Sequence, residues 1–156
     1  MDQAVVALES VVREEPTYKD SLTLLARAYY RKGRYEEALQ VSRQALAVNK
    51  DDEIAWLVRG MTQLRLGDDE KGLETVKGGI TLVSKVSVNG YHGYSYWDKN
   101  GLVRAAIRRT VFSVTKGLEE KDSLLRNAET LLTQLDEEEN LQRVEAPRER
   151  RRDFGG

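Results

Sequence analysis

The chain has 156 residues, with 25 Lys and Arg against 26 Asp and Glu, a single His and no Cys. This length suits one domain, the lack of Cys excludes disulfides, thiolate metal sites and Cys nucleophiles, and the balanced charge disfavours general nucleic-acid binding. No apolar run reaches the roughly 18 residues of a transmembrane helix, so we expect no membrane span.

The first half of the chain repeats itself with a period of 34 residues. Ala4 aligns with Ala38, and Gly33 aligns with Gly67, so two independent pairs give the same period. A fixed period of this length is typical of repeats built from paired helices. We therefore predict a lone second helix over 1–18, which lacks its own partner, and complete repeats over 19–52 and 53–86.

The first complete repeat has the pattern of two amphipathic helices. Leu22, Leu25, Ala26 and Tyr29 recur at helical spacing, and Gly33 ends the helix because glycine readily adopts a left-handed C-terminal conformation. A second apolar stripe follows, with small residues that let two helices approach closely. Its members are Tyr35, Ala38, Leu39, Ala45 and Leu46.

This repeat resembles a tetratricopeptide repeat over the string LLARAYYRKGRYEEALQVSRQAL, residues 24–46. The positions that match the family pattern are Leu22, Leu25, Ala26, Tyr29, Gly33, Ala38 and Ala45. The first repeat departs from the pattern at Ser42 and Lys50, and the second repeat departs from it at Arg59, Gln63, Gly72 and Gly79. The resemblance implies an all-α fold, in which antiparallel helix hairpins stack into a right-handed superhelix. It also implies a non-catalytic module for protein–protein interaction.

The 34-residue register breaks after residue 86. Residues 87–101 are rich in Gly and Tyr and have low helix propensity, so we predict a loop whose end, near Asp98, caps the next helix. Residues 102–141 are predicted to form a divergent third hairpin, and 142–156 a disordered tail containing Pro147. The predicted core stripes of this hairpin are Val103, Ile107, Val111, Val114 and Leu118, then Leu124, Ala128, Leu131 and Leu135.

The resemblance implies that the first helix of each repeat lines a concave groove. The groove positions are Thr23, Arg27, Tyr30 and Arg31 in one repeat and Leu57, Met61, Leu64 and Arg65 in the next. The guanidinium groups would bind carboxylates in bidentate fashion, and the apolar residues would form an adaptable floor. Alternatively, the arginines are solvated, and Leu57 and Leu64 contact neighbouring helices.

The third hairpin offers further cations and an acidic block. Arg104 and Arg108 share one helical face and are candidates to extend the basic groove, although a solvated helix face is the alternative. The internal counter-charge is the run of four acidic residues 136–139. We hypothesise that this run, or that of a neighbouring copy, occupies the basic groove when no partner is present.

The aromatic loop is the remaining candidate surface. Tyr91 and Tyr94 are candidates for partner recognition, since tyrosines are frequent in binding hot spots, or else they pack onto the hairpin core. His92 has too few ligand-type neighbours for a metal site and no visible nucleophile, so we predict no catalysis, metal or cofactor.

These observations predict a scaffold or assembly factor that binds a peptide or helical segment in the basic groove. The preferred ligand is an acidic or C-terminal segment of another protein. The alternative is a self-associating structural oligomer that stacks through its terminal helices. We expect no nucleic-acid partner, no membrane span and a cytoplasmic location.

Overall fold

A computed structural model describes residues 3–14, 21–89, 98 and 100–155, with side chains for 3–14, 21–85, 98 and 100–139. Every regular element in these ranges is helical, which confirms the predicted all-α repeat fold. The elements are α1 (Gln3–Glu14), α2 (Ser21–Arg31), α3 (Tyr35–Val48), α4 (Glu53–Arg65), α5 (Asp69–Asn89), α6 (Leu102–Lys116), a 3-10 turn (Gly117–Glu120) and α7 (Lys121–Gly155). The helix α5 continues to Asn89, inside the span 87–101 that we predicted as a loop.

Each helix packs against the next one along the chain, and α4 lies at the centre of the array. It contacts α2, α3, α5 and α7. The turns after α2 and α4 use Gly33 and Gly67, whose φ angles of +76° and +87° are the left-handed conformation expected of Gly33. Glycine turns therefore fold α3 back on α2 and α5 back on α4.

The closest approach in the fold is between α4 and α5, and two glycines make it possible. A Cβ atom on Gly60 would lie 2.6 Å from Val76 Cγ2, and one on Gly72 would lie 2.9 Å from the backbone nitrogen of Leu64. Both distances are too short for a real side chain. The departure from the family pattern at Gly72 thus has a packing reason, because alanine at this position would push α5 away from α4.

The helix α6 buries only part of the apolar stripe that we predicted. Val103 is buried as expected, but the other fully buried side chains are small, namely Ala106, Thr110 and Ser113. Ser113 Oγ accepts a hydrogen bond of 2.6 Å from Asn127 Nδ2 of α7. Val111, predicted as core, remains 42% exposed. Small side chains let α6 and α7 lie close together. Ile107 and Val114 are partly buried against the core, so Val111 is the member of the predicted stripe on α6 that stays accessible.

The tail also differs from its prediction. We expected disorder from residue 142, whereas α7 continues as a helix to Gly155. The segment after residue 140 is rich in Glu, Arg, Gln and Ala, which are strong helix formers, and it extends an existing helix without a new nucleation step. In the ranges that the structure describes, no helix is both long and apolar enough to cross a lipid bilayer.

Candidate functional site

The predicted groove residues lie on α2 and α4, and α7 contacts the polar ones among them: Arg27, Tyr30, Arg31 and Arg65. We call this surface the α2–α4 face: Thr23, Arg27, Tyr30, Arg31, Leu57, Met61, Leu64 and Arg65. The helices α2 and α4 contact each other, and α7 packs against α4. The carboxylates of α7 then reach the cations of both helices, so the face is the inside of a three-helix contact.

One carboxylate of α7 binds the two arginines of α2. Asp136 Oδ2 lies 2.6 Å from Arg31 Nη2, and its other oxygen pairs with Arg27. Arg27 is 6% exposed, whereas half of the Arg31 side chain is accessible. A buried guanidinium requires a counter-charge, and Asp136 supplies it. This agrees with the hypothesis that the acidic run occupies the basic groove. The run that does so belongs to the same chain and not to a neighbouring copy.

A second carboxylate, Glu129, joins α7 to both α2 and α4. Glu129 Oε1 accepts a hydrogen bond of 2.6 Å from the Tyr30 hydroxyl and pairs with Arg65 Nη2 at 2.6 Å. Arg65 Nε in turn donates to the Tyr30 oxygen over 3.2 Å. Tyr30, Arg65 and Glu129 therefore form a closed triangle of polar contacts. Together with the contacts of Arg27 and Arg31 to Asp136, it forms what we call the carboxylate network.

Two members of the carboxylate network, Tyr30 and Arg65, have shifted pKa values. Burial, supported by the contact with Glu129, raises the pKa of the Tyr30 hydroxyl above its usual value. Hydrogen bonds to Tyr30 and Glu129 raise the pKa of Arg65. The phenol is consequently a neutral donor and the guanidinium a permanent cation across the physiological pH range.

Sequence reasoning identified the acidic run containing Asp136 but missed Glu129. The two residues are seven positions apart, which is two helical turns, so both point to the same side of α7. That spacing is the signal that would have found Glu129. Elsewhere in the run, Glu138 Oε1 accepts a hydrogen bond of 2.8 Å from the Asp98 backbone nitrogen, and Glu137 is exposed. The run therefore does not act as one block.

The apolar part of the α2–α4 face is not an open floor. Leu57, Met61 and Leu64 have no exposed surface, because α2, α3, α5 and α7 surround α4. The positions where a Cβ on Gly79 or Gly72 would stand are within 3.1 Å of the Leu57 and Leu64 side chains, respectively. The alternative that these leucines contact neighbouring helices is therefore correct, and the adaptable floor was wrong.

Thr23 also has a structural contact. It is 5% exposed, and its hydroxyl donates to Asp52, whose other carboxylate oxygen accepts the Ala55 backbone N–H over 3.0 Å at the start of α4. Thr23 thus connects α2 to the N-terminal cap of α4. This contact leaves little of its side chain for a ligand.

The helix α7 is held by an apolar face as well as by its carboxylates. Its buried residues are Leu124, Leu125, Ala128, Leu131, Leu132 and Leu135, each at most 4% exposed. Burying one leucine side chain contributes about 1.5–3 kcal/mol. A ligand that offered only carboxylates would therefore not displace α7.

The two candidate arginines of the third hairpin, Arg104 and Arg108, are not part of the carboxylate network. Arg104 Nε lies 3.2 Å from Asp98 Oδ2, so its guanidinium contacts the residue that caps α6. Asp98 accepts the backbone N–H groups of Val103 and Arg104 over 2.8 and 3.0 Å, as the predicted cap requires. Arg108 is exposed on α6, which packs against α5 and α7.

The remaining candidates, Tyr91, Tyr94 and His92, lie outside the described residues. Among the residues that are described, no group of three or more His, Asp or Glu is placed to hold a metal ion.

Comparison with known families agrees with this architecture. The family model described as Tetratricopeptide repeat matches residues 1–64, which include α1, α2, α3 and most of α4. Among curated proteins, none matches the chain. Tetratricopeptide repeats generally mediate protein–protein interactions, and that is the general role indicated for this chain. Residues 1–64 are therefore similar to the tetratricopeptide repeat family.

Proposed function

We propose that the protein is a non-catalytic scaffold or assembly factor whose α2–α4 face binds an acidic helical segment of a partner. The carboxylate network is the observation that supports this proposal. Arg27 and Arg31 already bind one helical carboxylate, and Arg65 with Tyr30 binds a second one two turns away. The face therefore has the chemistry needed to recognise an acidic helix, and α7 is its resident ligand.

The resident helix defines what a partner must supply. A competing helix needs carboxylates seven residues apart and, between them, an apolar stripe that replaces the buried leucines of α7. Such a helix replaces the contacts of α7 with contacts of the same kind, so the net change in free energy when it displaces α7 is small. An acidic tail without the apolar stripe lacks most of the binding energy.

Competition with α7 also sets the affinity. A partner binds only when the resident segment has left the face, so the apparent affinity is reduced by the fraction of chains in that state. Any change that weakens the contact of α7 with α2 should strengthen binding of a partner. This inverse relation distinguishes the proposed function from a face that is closed permanently.

The experiment compares Asp136→Asn with the matched control Glu137→Gln. Both replace one carboxylate by an amide in adjacent positions, but only Asp136 contacts Arg27 and Arg31, whereas Glu137 is exposed. The probe is a fluorescent peptide with the sequence of residues 121–141, and its binding is followed by anisotropy. We expect the peptide to bind Asp136→Asn about tenfold more tightly than the control, which corresponds to about 1.4 kcal/mol.

Two further measurements complete the test. Circular dichroism establishes that both variants are folded, and a peptide with Lys at the positions of Glu129 and Asp136 should not bind. Equal affinity of the two variants, or no peptide binding to either, would contradict the proposal. A mass that rises with protein concentration would instead indicate exchange of α7 between copies, and self-assembly would replace partner binding as the function.

A further inference from the structure

A second surface, between α5 and α6, has the composition of a binding groove. It encloses about 620 Å³, within the roughly 300–1,000 Å³ common for ligand pockets. Its apolar lining consists of Ile80 from α5 with Val111 and Val114 from α6, and Lys77 and Lys85 also line it. We call it the α5–α6 groove. The two lysines are eight residues apart on one helix, which places them about 12 Å apart.

The packing of α6 explains why this groove is left open. The helix α6 directs small residues toward α7, and of its predicted apolar stripe Ile107 and Val114 are only partly buried against the core. Val111 remains 42% exposed, and the adjacent Phe112 is 62% exposed. Large apolar side chains grouped on one surface are characteristic of interaction sites. The accessible part of the apolar lining is therefore Val111, whereas Ile80 is 6% exposed and belongs to the core.

The groove itself is lined by cations and no acid: Glu74, one helical turn before Lys77 on α5, does not line it. From residue 75 to residue 118 the only acid is Asp98, against seven Lys and Arg residues. Asp98 is 3% exposed, and its carboxylate is used in capping α6 and in pairing with Arg104. Within the part of the chain that the structure describes, no carboxylate pairs with Lys77 or Lys85, both of which are exposed.

We infer that the α5–α6 groove binds an acidic amphipathic segment of a partner protein. One or two apolar side chains of the segment occupy the space between Ile80 and Val111, while carboxylates on either side of them pair with Lys77 and Lys85. Apolar burial supplies affinity, and the lysines supply orientation and the rate of encounter. This site uses α5 and α6 alone and is independent of the α2–α4 face.

The shape and lining of the groove favour a polypeptide over other anionic partners. A nucleic acid places phosphates rather than apolar side chains against a basic surface, and it would leave the lining of Ile80, Val111 and Val114 unused. An anionic membrane binds protruding apolar residues, whereas these three side chains line a recess. A recess flanked by cations fits a side chain that has carboxylates beside it.

The test uses a designed helical peptide of about 16 residues, with Leu along one face and Glu on the flanking positions. Its binding to the full chain is measured by isothermal titration calorimetry. The groove variants are Lys77→Glu/Lys85→Glu, which reverses both lysine charges, and Val111→Gln, which makes the lining polar. The matched control is Lys71→Glu, the same charge reversal at an exposed position on α5 that does not line the groove. Arg31→Glu tests independence from the α2–α4 face.

We expect both groove variants to weaken peptide binding by about tenfold or more, whereas Lys71→Glu and Arg31→Glu leave it within about twofold of the unmodified chain. Absence of binding, or equal loss in Lys71→Glu and the groove variants, would overturn the inference. Loss in Arg31→Glu alone would assign the peptide to the α2–α4 face. Preferential binding of phosphatidylserine vesicles or of a single-stranded oligonucleotide, with no binding of the peptide, would likewise overturn it.

Discussion

The α2–α4 face and the α5–α6 groove both combine cations with apolar side chains, but their counter-charges differ. On the α2–α4 face, Glu129 and Asp136 of α7 bind the cations, and the apolar residues are fully buried. In the α5–α6 groove, the structure shows no such carboxylate at Lys77 or Lys85 among the described residues, and Val111 remains accessible. A basic helix face therefore indicates a ligand site only once it is known which of its cations the chain's own acids already bind.

The largest expected difference between the two surfaces concerns stability. Leu131 of α7 has no exposed surface, so Leu131→Ala should lower the free energy of unfolding by about 3 kcal/mol through lost burial and a cavity. Val111→Ala in the groove should change it by less than about 1 kcal/mol, because that side chain is 42% exposed. Urea denaturation of both variants measures the difference. Similar values for the two would mean that Leu131 of α7 contributes no more to stability than the accessible lining of the α5–α6 groove.

A smaller effect tests the carboxylate network itself. Glu129→Gln removes the charge that accepts from Tyr30 and Arg65, and it should lower the free energy of unfolding by about 1–2 kcal/mol. Glu137→Gln, the control at an exposed position of the same helix, should have an effect near zero. Urea denaturation of the two variants measures their free energies of unfolding. If both variants match the unmodified chain, Glu129 contributes contacts without stability.

The smallest effect is confined to alkaline pH. Burial, together with the hydrogen bond and the charge of Glu9, raises the pKa of Tyr29 from 10.0 to about 12. Between these values the unfolded phenol ionises while the folded one stays protonated, so the free energy of unfolding should fall as pH rises from 10 toward 12. Below pH 10 the tyrosine is neutral in both states and contributes no slope.

Tyr29→Phe isolates this contribution. The variant lacks the ionisable group, so its unfolding free energy should fall less between pH 9 and pH 11 than that of the unmodified chain, when both are measured by urea titration. The described residues of the α5–α6 pair include no tyrosine, so the effect reports on the N-terminal helices. An identical pH dependence in the two proteins would show that Tyr29 titrates alike in the folded and unfolded chains.

Much of the candidate site was within reach of the sequence, but its accessibility was not. Helical spacing correctly placed Arg27 and Arg31 on one side of α2, and Asp136 was identified as a counter-charge. The same periodicity does not say which face of a helix a distant segment covers. Leu57 and Met61 were therefore predicted to line an open groove, although the helices packed around α4 leave neither of them exposed.

The sequence by itself determined the repeat, the helical pairs and the glycine turn at Gly33, because these depend on local periodicity and backbone preference. Tertiary structure decided where α7 lies, since its contacts with Tyr30 and Arg31 join residues about a hundred positions apart. It also decided that small residues of α6 face α7 and that Val111 stays accessible. Both outcomes depend on how closely particular helices approach, which is a property of the assembled fold and not of any one segment.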